Sequence, residues 1–169
     1  MLHRPLLPVI AVATSNLILS PVASADSDNT LIPNNSRLNK SVVENVFTLQ
    51  RQAGCTNDVK VNPHLRLAAE WHTNDIMNDR NLDGDIGSDG STVEDRARAA
   101  GFDGKVAETV AIMPALAINN LQILQQWYHN PAYYAIMADC ANTAIGVWSE
   151  NSLDRSVVVA VYGQPIESP

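Results

Sequence analysis

Acidic side chains are concentrated between residues 83 and 94, where glycines and serines separate them. Asp83, Asp85, Asp89 and Glu94 stand at positions 1, 3, 7 and 12 of a calcium-loop template. Position 6 of that template requires glycine, and Ser88 occupies it. We therefore favour a surface loop built from Asx turns. Binding of a divalent cation by this loop is kept as the alternative, and no other cofactor is predicted.

Glu108 is the second acidic feature, because it lies in a run from Val106 to Met113 that is otherwise mostly apolar. A carboxylate in such a run must face a wet cleft or find a partner. Two carboxylates that lie close together share a proton or hold a hard cation. The metal candidates are therefore Asp83, Asp85, Asp89, Glu94 and Glu108.

The histidines and serines do not predict a catalytic triad. Ser88 and Ser91 are typical loop and cap residues, and no histidine has an evident Ser or Asp partner in sequence. His72 falls on the apolar face of a helix that starts at Asn62-Pro63, so we expect it to be a hydrogen-bonded core residue rather than a base or ligand.

Aromatic residues cluster between positions 127 and 134. At helical spacing they are more often packing residues than a cofactor box, and a small domain has little room for the apolar slot that haem needs. Core packing is therefore favoured over tyrosine-ligated haem. The cluster consists of Trp127, Tyr128, Tyr133 and Tyr134.

The elements that must position these residues alternate between helical and strand patterns. Ser91 is predicted to cap a short helix, with Glu94 completing a capping box and Gly101 ending the helix. The last apolar run, 156–162, is apolar on both faces and should be a central strand. The patterns predict helices at about 41–53, 62–76, 119–129 and 131–137, and strands at 106–113, 144–148 and 156–162. This is an α+β fold in which helices cover a small antiparallel sheet.

The amino-terminal residues 1–25 have the pattern of a secretory signal, with a weakly basic start, an apolar run and Ala23-Ser24-Ala25 before Asp26. Removing them takes away one Arg and no acid, so the formal charge falls from −7 to −8. An acidic chain is a poor partner for nucleic acid or an anionic membrane. We predict a flexible lead-in at 26–40 and one domain at 41–165, secreted or held in the cell envelope as a monomer, without stable membrane insertion.

The sequence contains two cysteines, Cys55 and Cys140. In an oxidising compartment a single disulfide is the default. Metal binding is disfavoured because it needs more ligands than two isolated cysteines supply.

Several spaced phrases resemble the CAP superfamily, which comprises cysteine-rich secretory proteins, antigen 5 and pathogenesis-related proteins, and in particular its compact bacterial branch. The likeness extends from about Ser41 to Gln164 and implies an α-β-α sandwich. The phrases are Leu65-x3-Ala69-x2-His72, Gly87-Ser88-Asp89-Gly90-Ser91, Asp95-Arg96 leading to Ala100-Gly101-Phe102, Ala107-Glu108, Trp127-x2-Asn130-Pro131 and Ile145-Gly146-Val147.

The resemblance also implies a cleft, presumed in that family to bind a divalent metal or transfer protons. Asp85 and Tyr133 stand where the branch usually has histidines, Thr109 replaces an asparagine, and Glu108 is retained. The remaining catalytic candidates are thus Asp85, Glu108 and Tyr133, with His72 less favoured. Because zinc prefers imidazole or thiolate ligands, the departures favour a non-catalytic binding module for a small apolar ligand, an envelope component or a protein. The alternative is a metal-assisted or acid-pair hydrolase that uses Asp85 and Glu108.

Overall fold

A four-stranded sheet forms the middle layer of the domain, in the order β1-β3-β4-β2. The computed structural model describes residues 35–114 and 120–166. Within these ranges the elements are α1 (Asn35–Gln52), β1 (Lys60–Val61), α2 (Pro63–Asn78), α3 (Val93–Ala99), β2 (Gly104–Pro114), α4 (Asn120–Tyr128), α5 (Pro131–Ala138), β3 (Ala144–Asn151) and β4 (Arg155–Pro165).

Strand β4 is central, and it is antiparallel to both β2 and β3. Its side chains alternate between two hydrophobic cores. Val158, Ala160 and Tyr162 pack with α1, α4 and α5 on one face of the sheet. Residues 157, 159 and 161, all valines, pack with α2 and α3 on the other face. The predicted α-β-α sandwich and the predicted two-faced burial of this strand are both confirmed.

The sheet departs from the prediction at its outer edge. Strand β1, which the sequence patterns did not indicate, has two residues and pairs parallel with the start of β3. The sheet is therefore mixed rather than purely antiparallel. Strands of two residues have no periodicity to detect, so this strand could not be found from apolar spacing.

Two helix starts also differ from their predictions. Helix α1 begins at Asn35 rather than Ser41, so the last part of the predicted lead-in is helical. Helix α3 is capped by Thr92, whose side chain accepts from the Asp95 backbone while the Asp95 carboxylate accepts from Thr92. The predicted Ser91–Glu94 capping box is thus wrong by one residue, because the Thr-x-x-Asp pair that follows it serves the same purpose.

Other local predictions are confirmed. Asn62 caps α2, whose first residue is Pro63, and its side chain accepts two backbone N–H groups as predicted. Asn130, for which no capping role was predicted, caps α5 before Pro131 in the same way. Gly101 follows α3 with a φ of 93°, the left-handed conformation expected there. Gly146 is required for a different reason: a Cβ at this position would collide with the backbone of Leu65 and Arg66, so glycine allows α2 to pack closely on β3.

The predicted disulfide joins Cys55, which follows α1, to Cys140, which follows α5, with the two Cα atoms 5.1 Å apart. The bridge closes a separation of 85 residues in the sequence. In the described part of the chain, every helix is too short or too polar to cross a bilayer. The predicted signal at 1–25 and residues 26–34 lie outside the described residues.

Candidate functional site

Glu108 is enclosed between the sheet and the α2–α3 layer. It lies on β2 two residues before Val110, so both side chains point to the core that α2 and α3 cover. The Glu108 side chain is only 1% exposed. A carboxylate this deeply buried is tolerated only with a charged or hydrogen-bonding partner.

The charged partner is Arg96, from helix α3. Its Nη2 lies 3.0 Å from Oε1 and 3.3 Å from Oε2 of Glu108, and its side chain is 6% exposed. The same guanidinium donates to the loop that precedes α3. Nη2 donates to the Asp85 carbonyl at 2.8 Å, and Nη1 donates to the Ser91 carbonyl at 2.8 Å. Arg96 therefore joins Glu108 to the acidic loop.

The second partner is His72, from helix α2, which is fully buried. Its Nδ1 lies 2.8 Å from Glu108 Oε1 and 3.0 Å from Arg96 Nη2. An arginine cannot accept a hydrogen bond, so a proton on Nδ1 is best placed to be donated to the carboxylate. Nε2 has no hydrogen-bond partner among the described residues, and as an acceptor it costs less to leave unpaired than a buried N–H would. The predicted burial of His72 is confirmed.

Tyr133 and Asp85 lie beside this network. Burial raises the pKa of the half-buried Tyr133, the negative charges of Asp85 and Glu108 raise it further, and a hydrogen bond to the Val110 backbone opposes the shift. The three residues named by the family resemblance thus share one electrostatic environment. Asp85 itself is exposed, at the rim of the site.

The acidic residues that match the calcium-loop template, among the described residues, do not form a group that could coordinate one metal ion. The pKa of the exposed Asp89 is lowered, chiefly because its carboxylate accepts a hydrogen bond from the Ser91 side chain and also from the Ser91 backbone. Asp83 and Glu94 are also exposed. Within 35–114 and 120–166, no group of three or more His, Cys, Asp and Glu residues is arranged to hold a metal ion.

Arg96 is the residue of this buried network that sequence reasoning missed. A signal for it was present, because the buried positions of α3 are Val93, Arg96 and Ala97, followed by Ala100 just after the helix. An arginine in the middle of such an apolar stripe indicates a buried acid opposite it. Glu108, already conspicuous in its own apolar run, was that acid.

A family model identifies the class of protein that this fold defines. The chain matches the CAP family, described as the cysteine-rich secretory protein family, over residues 34–162. No curated protein matches the chain. The protein therefore belongs to the CAP family, as its spaced phrases predicted.

Solved structures agree on the fold. An outer surface protein of Borrelia burgdorferi superposes with a TM-score of 0.69 at 13% identity, over 80% of this chain and 98% of that one. An extracellular SCP-domain protein of Bacillus anthracis gives 0.58 at 13% identity, over 78% of this chain and 44% of that one. A cysteine-rich secretory protein of Staphylococcus aureus gives 0.52 at 13% identity, over 76% of this chain and 38% of that one. At these identities the likeness concerns the fold alone.

Proposed function

We propose that this CAP domain is an extracellular binding module rather than a catalyst. The observation that carries the proposal is the state of Glu108, the one cleft acid retained from the family pattern. Both of its oxygens are engaged by Arg96, one of them also by His72, and 1% of the side chain is exposed. A general acid or base must reach the proton that it transfers, and this carboxylate is committed to internal partners.

The nearby hydroxyl groups are committed as well. Ser88 Oγ donates to Asp75 Oδ1 at 2.6 Å, and Ser91 Oγ accepts from Arg96 at 3.3 Å. His64, at the start of α2, has its Nδ1 2.7 Å from the carbonyl of Ala100, which follows the end of α3. A serine nucleophile is activated by a general base placed to take its proton, and the imidazole of His64 is bound to a backbone carbonyl rather than to a serine.

The partner that we propose is a small apolar ligand or a protein, met outside the cell by a monomeric domain. The solved structures described as an outer surface protein and an extracellular protein support that location. The net charge of −7 for the whole sequence argues against nucleic acid as the partner.

A hydrolysis panel tests the proposal. The wild type and Glu108→Gln would be incubated with peptides, esters and cell-envelope polymer, with and without a divalent cation. We expect neither protein to exceed the buffer blank. The exposed Glu94→Gln is the matched control.

The alternative is metal-assisted or acid-pair hydrolysis by Asp85 and Glu108. Turnover by the wild type and the Glu94→Gln control that disappears in a folded Glu108→Gln protein would establish this alternative. It would also overturn the proposed binding role.

A further inference from the structure

The outer edge of β3 is only partly covered by β1. Strand β1 pairs Lys60 with Ala144 and Val61 with Ile145, and the last backbone bond of this pairing runs from the Asn62 N–H to the Ile145 carbonyl at 2.8 Å. Helix α2 begins directly afterwards, at Pro63. Strand β3 continues to Asn151, so most of its outer edge extends beyond β1.

A second hydrogen bond shows which backbone groups of β3 point away from β4. The Asn35 side chain, at the start of α1, donates to the Ser149 carbonyl at 2.9 Å. Backbone groups of alternate residues point to the same edge of a strand. Because Ile145 and Ser149 both accept from outside the sheet, Val147, which lies midway between them, must also direct its N–H and C=O outward. No described residue outside the sheet bonds to Val147.

These edge groups face a groove of about 700 Å³ between α1, α2 and β3. Val61, which is 61% exposed, stands at the end of the groove where β1 stops. The Arg66 guanidinium lies over the Trp148 ring, 5.6 Å from its centroid. Among the described residues, no carboxylate forms a salt bridge with Arg66, although Arg80 and Arg96 each have one.

We propose that this groove binds an extended peptide segment of a partner protein, which adds to the β3 edge as a strand in line with β1. The inference rests on the proposed binding function and assigns its partner class and surface. An added strand would pair with the Val147 N–H and C=O and with the Ser149 N–H. One aliphatic side chain would contact Val61, and one acidic side chain would pair with Arg66. Unpaired N–H and C=O groups at every second residue of β3 match the spacing of the N–H and C=O groups in an extended peptide. A compact small molecule has no such regular series of donors and acceptors.

Amide hydrogen exchange followed by NMR tests the proposal on the full mature chain. The probe is the blocked hexapeptide Thr-Val-Asp-Val-Thr-Val, at about ten times its dissociation constant. We expect exchange of the Val147 and Ser149 amides to slow about tenfold, which is the protection that this ligand excess gives. The Trp148 amide faces β4 and should not change. A version of the peptide that is N-methylated at alternate residues should give no protection.

Two arginine variants distinguish peptide binding at the β3 edge from nonspecific binding elsewhere on the protein. Arg66→Ala should weaken peptide binding about two- to fivefold, the effect of losing an exposed ion pair. Arg98→Ala, at an exposed arginine on α3, is the matched control and should leave the affinity unchanged. Equal binding of the N-methylated peptide, or an equal effect of the two variants, would overturn the proposal.

Two further outcomes are decisive. If the two amides are already protected in the free protein and lose protection when residues 26–34 are deleted, the chain itself occupies the edge and the proposal is wrong. If the peptide does not protect the edge and the hydrolysis panel is blank, the peptide proposal fails while the binding role stands. Turnover that depends on Glu108 would instead overturn the proposed binding function. The exchange experiment alone would then decide whether the β3 edge binds a peptide.

Discussion

At the scale of single residues, two buried polar clusters of this domain pair side chains from different elements. Glu108 of β2 meets His72 of α2 and Arg96 of α3, so three elements depend on one carboxylate. Thr109, the next residue on β2, points to the opposite face, where its hydroxyl lies 3.2 Å from the Tyr162 hydroxyl. Removing one member of such a pair leaves the other without its partner, which costs more than the pair itself contributes.

Tyr162 gives a prediction for alkaline pH. Burial raises its pKa, and the hydrogen bond with Thr109 only partly opposes this shift. The unfolded chain loses the tyrosine proton from about pH 10, whereas the folded protein retains it. Stability should therefore be fully present below pH 10 and fall above it, by about 1.4 kcal/mol per pH unit for this group.

The variant Tyr162→Phe should be about 0.5–1.5 kcal/mol less stable at pH 7, because Thr109 loses its partner. Urea unfolding between pH 7 and 11 measures the difference from the wild type. This difference should shrink above pH 10, since the variant lacks the titrating hydroxyl. A difference that stays constant or widens with pH would contradict the assignment.

The burial of His72 and the unusual position of Glu108 could be predicted from apolar spacing along single elements. Their contact could not, because it joins residues 36 apart in sequence that lie on two different elements, α2 and β2. Arg96 was missed for the same reason. A charged residue on an apolar stripe shows that a partner exists, but spacing within one helix does not identify it.

At the scale of elements, helix α3 depends on its amino-terminal cap. The Thr92 and Asp95 side chains each bond to the other residue's backbone N–H, while Ser91 instead accepts from Arg96. Two overlapping S/T-x-x-D/E patterns stand one residue apart here, and local sequence does not choose between them. Ser91 is engaged by the Arg96 guanidinium, which Glu108 holds in place from another element, so the choice depends on a tertiary contact.

Thr92→Ala should therefore destabilise the protein by about 1 kcal/mol, with an accepted range of about 0.5–2 kcal/mol for a lost cap. Glu94→Ala should change stability by less than about 0.5 kcal/mol, because the structure gives Glu94 no capping role. Chemical denaturation of both variants checks the pair. If Glu94→Ala lowered the unfolding free energy more than Thr92→Ala, the Ser91–Glu94 capping box predicted from sequence would be correct instead.

At the scale of the whole molecule, the central strand joins the two helical layers, and the disulfide links the ends of α1 and α5 within one of those layers. The class of fold was predictable because β4 is apolar on both faces and the surrounding helices are amphipathic. The edge strand β1 and the site could not be predicted, since both depend on how α2 and α3 lie against the sheet. Gly146 allows α2 to approach β3 closely, but a single glycine in the sequence does not identify the segment that packs against it.

The double variant Cys55→Ala, Cys140→Ala should lose about 2–5 kcal/mol of unfolding free energy, because the unfolded chain gains the freedom of a long loop. Thermal melting of the oxidised wild type, the reduced wild type and the double variant tests this. The reduced wild type should melt with the variant, well below the oxidised protein. Equal melting temperatures of oxidised and reduced wild type would show that the bridge contributes nothing.

The claim on which the proposed function depends is that Glu108 is a structural partner of Arg96. A double-mutant cycle of Arg96→Met and Glu108→Gln, measured by urea unfolding at neutral pH, tests it most directly. Arg96→Met alone should cost about 3–5 kcal/mol, because it leaves a buried carboxylate without its cation. The coupling energy should be about 2–3 kcal/mol, with the double variant more stable than the two single losses predict. Losses that add to within about 0.5 kcal/mol would show that the two side chains act independently and would contradict this account of the site.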